Sequence, residues 1–297
     1  MRLSEAAAIA NLRLHREGTF ESLGALSNPT AARLVFLEEA VWAPRLLGDR
    51  DVACVVTTPE LVGLLDTRPD LGIAFADDPR IGFFEFHNHL VRNTQFYWTD
   101  FPTEIHPTAR IHPSAFVADR NVRIGANCYV EPQATILDKV VIGDDCVIRA
   151  GARIGTHGFE FKRSPGALLS VEHAGGARLG DRVEVQSNAT VDRAIFGGFT
   201  EVGPDSKLDK AAHFGHNVIS GARCLFAAHC VIGGSTILGD DVWIGPSAVI
   251  RNSIVLGDGA RVSLGAVVTR DIPPGGHVSG NFAMDHAKLI RFLKTLQ

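Results

Sequence analysis

At 297 residues, the chain is long enough for two domains, or for one domain plus a repeat array, and its formal net charge of −4 lacks the basic excess of a nucleic-acid binder. Hydrophobic residues at 45% and charged residues at 21% are ordinary for a soluble globular protein. No apolar run reaches the roughly 18–20 residues that a membrane span requires, and the N-terminal "AAAIA" is too short for a signal-peptide core, so a cytoplasmic location is expected.

In chain order, "MRLSEAAAIANLRLH" predicts a helix, "ARLVFLEEAVWAPRLLG" a strand followed by a helix, and "DVACVVTTP" and "LGIAFADDPR" two further buried strands. Residues 1–100 are therefore expected to form a small α/β domain that ends near "TDFPTEIHP". From residue 105 an aliphatic residue recurs every six positions. One phase runs from Val202 through Leu208, Phe214, Ser220 and Phe226 to Val268. A second runs from Ile124 to Ile154, and a third through Leu179, Val185 and Val191, after the interruption "THGFEFKRSPGALLSVEHAGGAR". A six-residue period of this length predicts a parallel β-helix over residues 101–272, in which three hexads make one triangular coil and each coil buries its inner face on its neighbours. Ser220 is the weak position of the long phase.

Cys128, Cys146, Cys224 and Cys230 all fall four residues after an aliphatic position, in a second inward slot that takes small residues. That placement, and the lack of any C-x-x-C pair, argue for buried free thiols rather than a zinc site or disulfides. Cys54 reads as part of a buried strand. Residues 273–297 begin with the breaker-rich "PPGGHVSGN" and end in a short helix, with Leu289, Ile290, Leu293 and Leu296 at helical spacing.

The candidate chemistry lies in "KLDKAAHFGHNVISG". On a hexad that begins at Phe214, the inward slots are Phe214 and Val218, so His216 faces outward, as do His213 and His229. No two histidines have the five-residue step of hexapeptide zinc enzymes, and no metal is expected. His216 is either a solvated surface residue or a neutral imidazole able to take a proton near pH 7.

This segment resembles the one that carries the catalytic histidine of the UDP-3-O-acylglucosamine N-acyltransferases, enzymes of lipid A (lipopolysaccharide) biosynthesis. The hexads "FAAHCV", "IGGSTI", "LGDDVW" and "IGPSAV" keep the same register. "IGTHGFEF" and "LGDRVEVQSNATVDRA" resemble that family's loop and the segment after it, and "LGALSNPTAARLVFL" resembles the start of its nucleotide-binding domain. The resemblance implies a left-handed β-helix, a homotrimer with active sites in the clefts between subunits, and no cofactor. The donor would be a thioester of acyl carrier protein or coenzyme A, and the acceptor a nucleotide-linked amino sugar. It implies His216 as general base supported by Asp209, with Asn217 beside it. Gly234, one coil above His216, is expected to offer a backbone N–H to the oxyanion. Phe36 and Trp42 would stack on the base.

Three departures accompany the resemblance. Ser253 stands where the family has a second histidine, two coils or about 10 Å beyond His216. "VEHAGG", Val171–Gly176, replaces the family's K-I-P-Q segment. Glu39 replaces the asparagine between the two aromatics. A carboxylate only accepts hydrogen bonds. At the base edge it would favour guanine, with its adjacent N1–H and amino group, over uracil; turned to solvent, it leaves uridine acceptable. Readings beside the general N-acyltransferase are a strict lipid A enzyme, an acetyl-coenzyme A-dependent sugar N-acetyltransferase and a non-catalytic hexapeptide scaffold. Lys288, Arg291 and Lys294 on one side of the C-terminal helix are either a solvated face or a landing site for an acidic carrier protein.

Overall fold

A computed structural model describes residues 1–26, 30–164, 166–280 and 283–295. The N-terminal part is one five-stranded sheet made of β1 (Arg13–Arg16), β2 (Ser22–Leu23), β3 (Arg33–Phe36), β4 (Val52–Thr57) and β5 (Gly72–Phe75), in the order β1-β5-β4-β3-β2. Helices α1 (Leu3–Ala10), α2 (Ala43–Gly48) and α3 (Pro79–Asn93) accompany it. Val52, Cys54, Val55 and Val56 of the central β4 are fully buried, which is why this strand reads as an unbroken apolar run. The helix expected over residues 1–15 is shorter than that. Asn11 ends α1 in the left-handed conformation, φ 54°, a geometry asparagine tolerates, and "RLHR" becomes β1, pairing antiparallel with β5. Helix α3, absent from the sequence reading, starts on the Asp78 side chain, which accepts the Ile81 N–H at 2.9 Å, and buries Phe83, Phe86 and Leu90.

The hexads form a left-handed parallel β-helix of three sheets with nine, eight and eight strands. Leu208 pairs with Phe226, and Phe226 with Ile244, so each coil stacks on the next at the expected step. Every aliphatic position of the three phases is buried in one continuous core, which also takes in Cys128, Cys146, Cys224 and Cys230. Ser220 keeps its inward place by accepting the Gly203 N–H at 3.1 Å. Most corners carry one left-handed residue, among them Ala211, Asn217, Arg223, His229, Ser235 and Ser253, with φ of 55–60°. That recurring corner turns side chains outward at the residue before it, His216 included.

Two insertions break the step, both at the corner that later carries His216. Ile154 pairs with Val191, and Val191 with Phe214, so residues 157–175 and 193–198 leave the helix there. The longer one folds into an antiparallel hairpin, Phe161–Ser164 with Ala167–Ser170, where the sequence reading saw only an interruption. Helix α3 grips its return leg. Asn88 donates to the Ser170 carbonyl at 2.8 Å and accepts the Glu172 N–H at 2.9 Å, and Arg92 pairs with Glu172 at 2.6 Å. His87 lies fully buried between the Tyr97 hydroxyl and the Glu172 carbonyl, and burial pushes its pKa down to about 4. Phe196 of the shorter insertion stacks on Phe84 of α3, so the N-terminal core and this corner share one apolar cluster. Helix α4 (His286–Lys294) follows the coils with no residue buried; Leu296 lies outside the described residues.

Candidate active site

His216 occupies the turn between strands His213–Phe214 and Ile219–Ser220, and its side chain is only 19% exposed, because the hairpin folds back over it. The ring is held on every edge. One face lies flat on Gly234, where a Cβ would fall 2.5 Å from Cε1 and 2.6 Å from Nε2. Gly158 of the loop stands over Cδ2, close enough that a Cβ there would lie 3.0 Å from it. His173 meets the imidazole edge to face at 5.9 Å between ring centroids. Nδ1 is 3.3 Å from Asn217 Oδ1. That oxygen already accepts the Ile195 N–H at 2.9 Å, so it can accept from an Nδ1–H as well, and the ring nitrogen left to act on a substrate is Nε2.

Nε2 points at Glu160 Oε2, 3.4 Å away. Glu160 also pairs with Lys162. Burial drives the Glu160 carboxyl upward, but the contacts with His216 and Lys162 outweigh it and hold the pKa at about 2. His173, 2% exposed, accepts the Gly158 N–H on Nε2 at 3.2 Å. Burial first, then its neighbours His216 and His157, push its pKa down to about 3, so it stays neutral beside the base.

The sequence-derived assignments fare differently. Asp209 lies one corner earlier, between strands Lys207–Leu208 and His213–Phe214, and its Oδ1 accepts the Lys210 N–H at 2.7 Å. Within the chain the carboxylate on the imidazole is Glu160, not Asp209, because a hexad separates the two corners. The Asn217 side-chain Oδ1 accepts the Ile195 N–H at 2.9 Å, and its backbone N–H donates to Thr200 Oγ1 at 2.7 Å, so the side chain ties the 193–198 insertion to this corner. Gly234 lies directly above His216, whose carbonyl accepts the Ser235 N–H at 2.8 Å. At another corner the equivalent amides are capped by the next coil's aspartates, as Ala222 N–H is by Asp240 at 2.9 Å. The His216 corner has no such aspartate, and the Gly234 N–H has no acceptor among the described residues.

Phe36, Glu39, Trp42 and Ser253 all line one pocket of about 270 Å³, joined by Arg45 and Glu38. Ser253 also donates its N–H to the Gly234 carbonyl at 3.0 Å, which ties this pocket to the His216 corner. Phe36 is braced by Phe83 and Phe84 at 5.3 and 5.8 Å, while Trp42 is 48% exposed. Glu39 is exposed at the rim. Glu160, Lys162 and His173 were missed in the sequence. All three lie in the interruption of the repeat, where no period reports on position; the family-like "GFEF" was the one available signal.

The profile of the bacterial transferase hexapeptide (six repeats) matches residues 121–156 and 235–270. With the β-helix, it defines the chain as a transferase of the hexapeptide class. The chain belongs to the UDP-3-O-acylglucosamine N-acyltransferase family, being 30% identical to the Delftia acidovorans member over 91% of this chain and 82% of that one. The Herminiimonas arsenicoxydans member is 29% identical over 62% of this chain, and the match spans 60% of that relative's length. Among solved structures, the UDP-N-acetylglucosamine acyltransferase from Campylobacter jejuni is 20% identical, covers 65% of this chain and 83% of its own, and has a TM-score of 0.49.

Proposed function

We propose that the protein transfers an acyl group from the thioester of an acyl carrier protein to the amine of a UDP-linked amino sugar. The observation that carries this is the junction of two sites: a pocket flanked by Phe36 and Trp42 meets, through Ser253, the corner that holds a pinned imidazole and an open backbone N–H. A base in the pocket and a sugar at the corner place the amine at His216 Nε2. That nitrogen takes a proton from the amine as the N–C bond forms and returns it to sulfur as the C–S bond breaks. The Gly234 N–H donates to the carbonyl oxygen as charge develops there. No covalent enzyme intermediate is required, and alignment of the two substrates supplies much of the rate. Glu39, exposed at the rim, fits the reading in which it turns to solvent, so uridine is the base. Lys288, Arg291 and Lys294 of the exposed α4 offer charge to an acidic carrier protein. A carrier-protein donor and a nucleotide-sugar acceptor place the reaction in the cytoplasm, and among the described residues no helix is long and apolar enough to cross a membrane.

The test is amide formation from UDP-3-O-acylglucosamine with either an acyl carrier protein thioester or its coenzyme A counterpart, together with titration of UDP and GDP. Expected are product from the carrier-protein thioester, at a rate that falls with added salt, and tighter binding of UDP than of GDP. No product from either donor with well-folded protein would leave a binding scaffold, and GDP preference would move the acceptor to guanosine.

The assembly we propose is a homotrimer. Leu225, Val231, Ile237, Trp243, Val249, Val255 and Val267 point outward from successive upper coils and remain a third or more exposed in the single chain, so all three faces carry apolar stripes suited to a partner. Light scattering at micromolar concentration should give three times the 31.9 kDa chain mass; a monodisperse monomer would contradict it.

A further inference from the structure

The Glu160–Lys162 pair lies between the aromatic pocket and the base. Glu160 contacts His216 Nε2 at 3.4 Å. Lys162 reaches the other way, its Nζ 4.6 Å over the ring of Phe84, and Phe84 packs on the pocket residue Phe36. Lys162 also acts electrostatically on Glu38, another lining residue of that pocket. The two side chains are mostly enclosed, at 18% and 22% exposed. A positive charge thus sits on the nucleotide side and a negative one on the base side, each satisfied by the other.

A nucleoside diphosphate linked to an amino sugar has the opposite arrangement, with anionic phosphates next to the base and an ammonium on the sugar. We infer that Lys162 and Glu160 are an internal stand-in for this ligand, and that the acceptor binds as a zwitterion, its phosphate taking Lys162 and its ammonium taking Glu160. Burying a charge is tolerable only with a partner, so exchanging one ion pair for two matched ones lets a doubly charged ligand enter where a singly charged one leaves Glu160 unpaired. Ser253 brings no cation to the phosphate path; Lys162 does. The ammonium then lies between Glu160 and Nε2 of His216. It gives one proton to water before His216 takes the second as the new bond forms.

This rests on the function proposed above and is separable from it. Calorimetric titration at pH 6.5 would compare UDP, UDP-glucosamine and UDP-N-acetylglucosamine on the wild type, Glu160→Gln, Glu160→Asp and Lys162→Ala, with thermal unfolding as the check on folding. The wild type is expected to bind the free amine about tenfold or more tighter than its N-acetyl counterpart. Glu160→Gln should abolish that preference with UDP affinity kept within about twofold, Glu160→Asp should restore part of it, and Lys162→Ala should weaken UDP itself by about fivefold or more. Equal affinity for amine and N-acetyl sugar in the wild type, or a preference that survives Glu160→Gln, overturns the ammonium half. UDP affinity indifferent to Lys162→Ala overturns the phosphate half. Failure of the wild type to bind UDP at all overturns the proposed function as well.

Discussion

Replacing His216 with alanine is expected to cut turnover by at least about 10²-fold, the lower end of what a positioned general base supplies, with the fold and UDP affinity nearly unchanged. The ring makes no contribution to the coil core, whose inward slots here are Phe214 and Val218, so its loss removes a reacting group and leaves the packing of that core intact. Single-turnover rates and a thermal unfolding curve, measured on the same preparations, check both halves. A variant that retains most of its activity would remove His216 from the chemistry. Ser253→Ala should cost far less, since its tie to this corner is a backbone N–H to the Gly234 carbonyl, which the substitution retains.

Gly234→Ala should be nearly as damaging, for a different reason. The added methyl would sit 2.5 Å from Cε1, 2.6 Å from Nε2 and 2.9 Å from Nδ1 of His216. No ring can stay there, so the imidazole must swing off Gly234 and away from the amine. The Gly234 φ lies outside the left-handed region, so alanine is acceptable to the backbone, and the N–H remains to serve the oxyanion. What is lost is the position of the base, and a displacement of about 1 Å can cost on the order of 10² in rate. The expected result is a fall in turnover of about 10²-fold at saturating acceptor, with the unfolding midpoint within a few degrees of the wild type. Full activity in this variant would mean that the catalytic ring does not rest on Gly234.

Local pattern determined the coils. A side chain at every sixth position has one place to go when each coil can bury its inner face only on its neighbours, so the aliphatic phases, the four small buried cysteines and the outward direction of His216 were all legible in the sequence. So were the buried strands β4 and β5, whose apolar runs are continuous. The boundary of α1 was not, because β1 exists only through its pairing with β5. Helix α3 escaped for a similar reason: it is mixed along its length and acquires its buried face from the strands, the hairpin and the 193–198 insertion packed around it.

The site itself divides along the same line. His216 and Gly234 lie in the repeat, and their stacking follows from arithmetic on the hexads. Asp209 was implied by the family resemblance alone, and its hexad ends at another corner. Glu160, Lys162 and His173 lie in an insertion that has no period. Their positions depend on α3 gripping the return leg of the loop through Asn88, Arg92 and His87, which are contacts between segments remote in sequence. Likewise the pocket of Phe36 and Trp42 meets Ser253 only because the N-terminal domain packs on this corner. The repeat placed the base by itself. The charges around it, and the binding pocket that faces it, were decided by tertiary packing, because distant segments meet only when their shared apolar surface is buried.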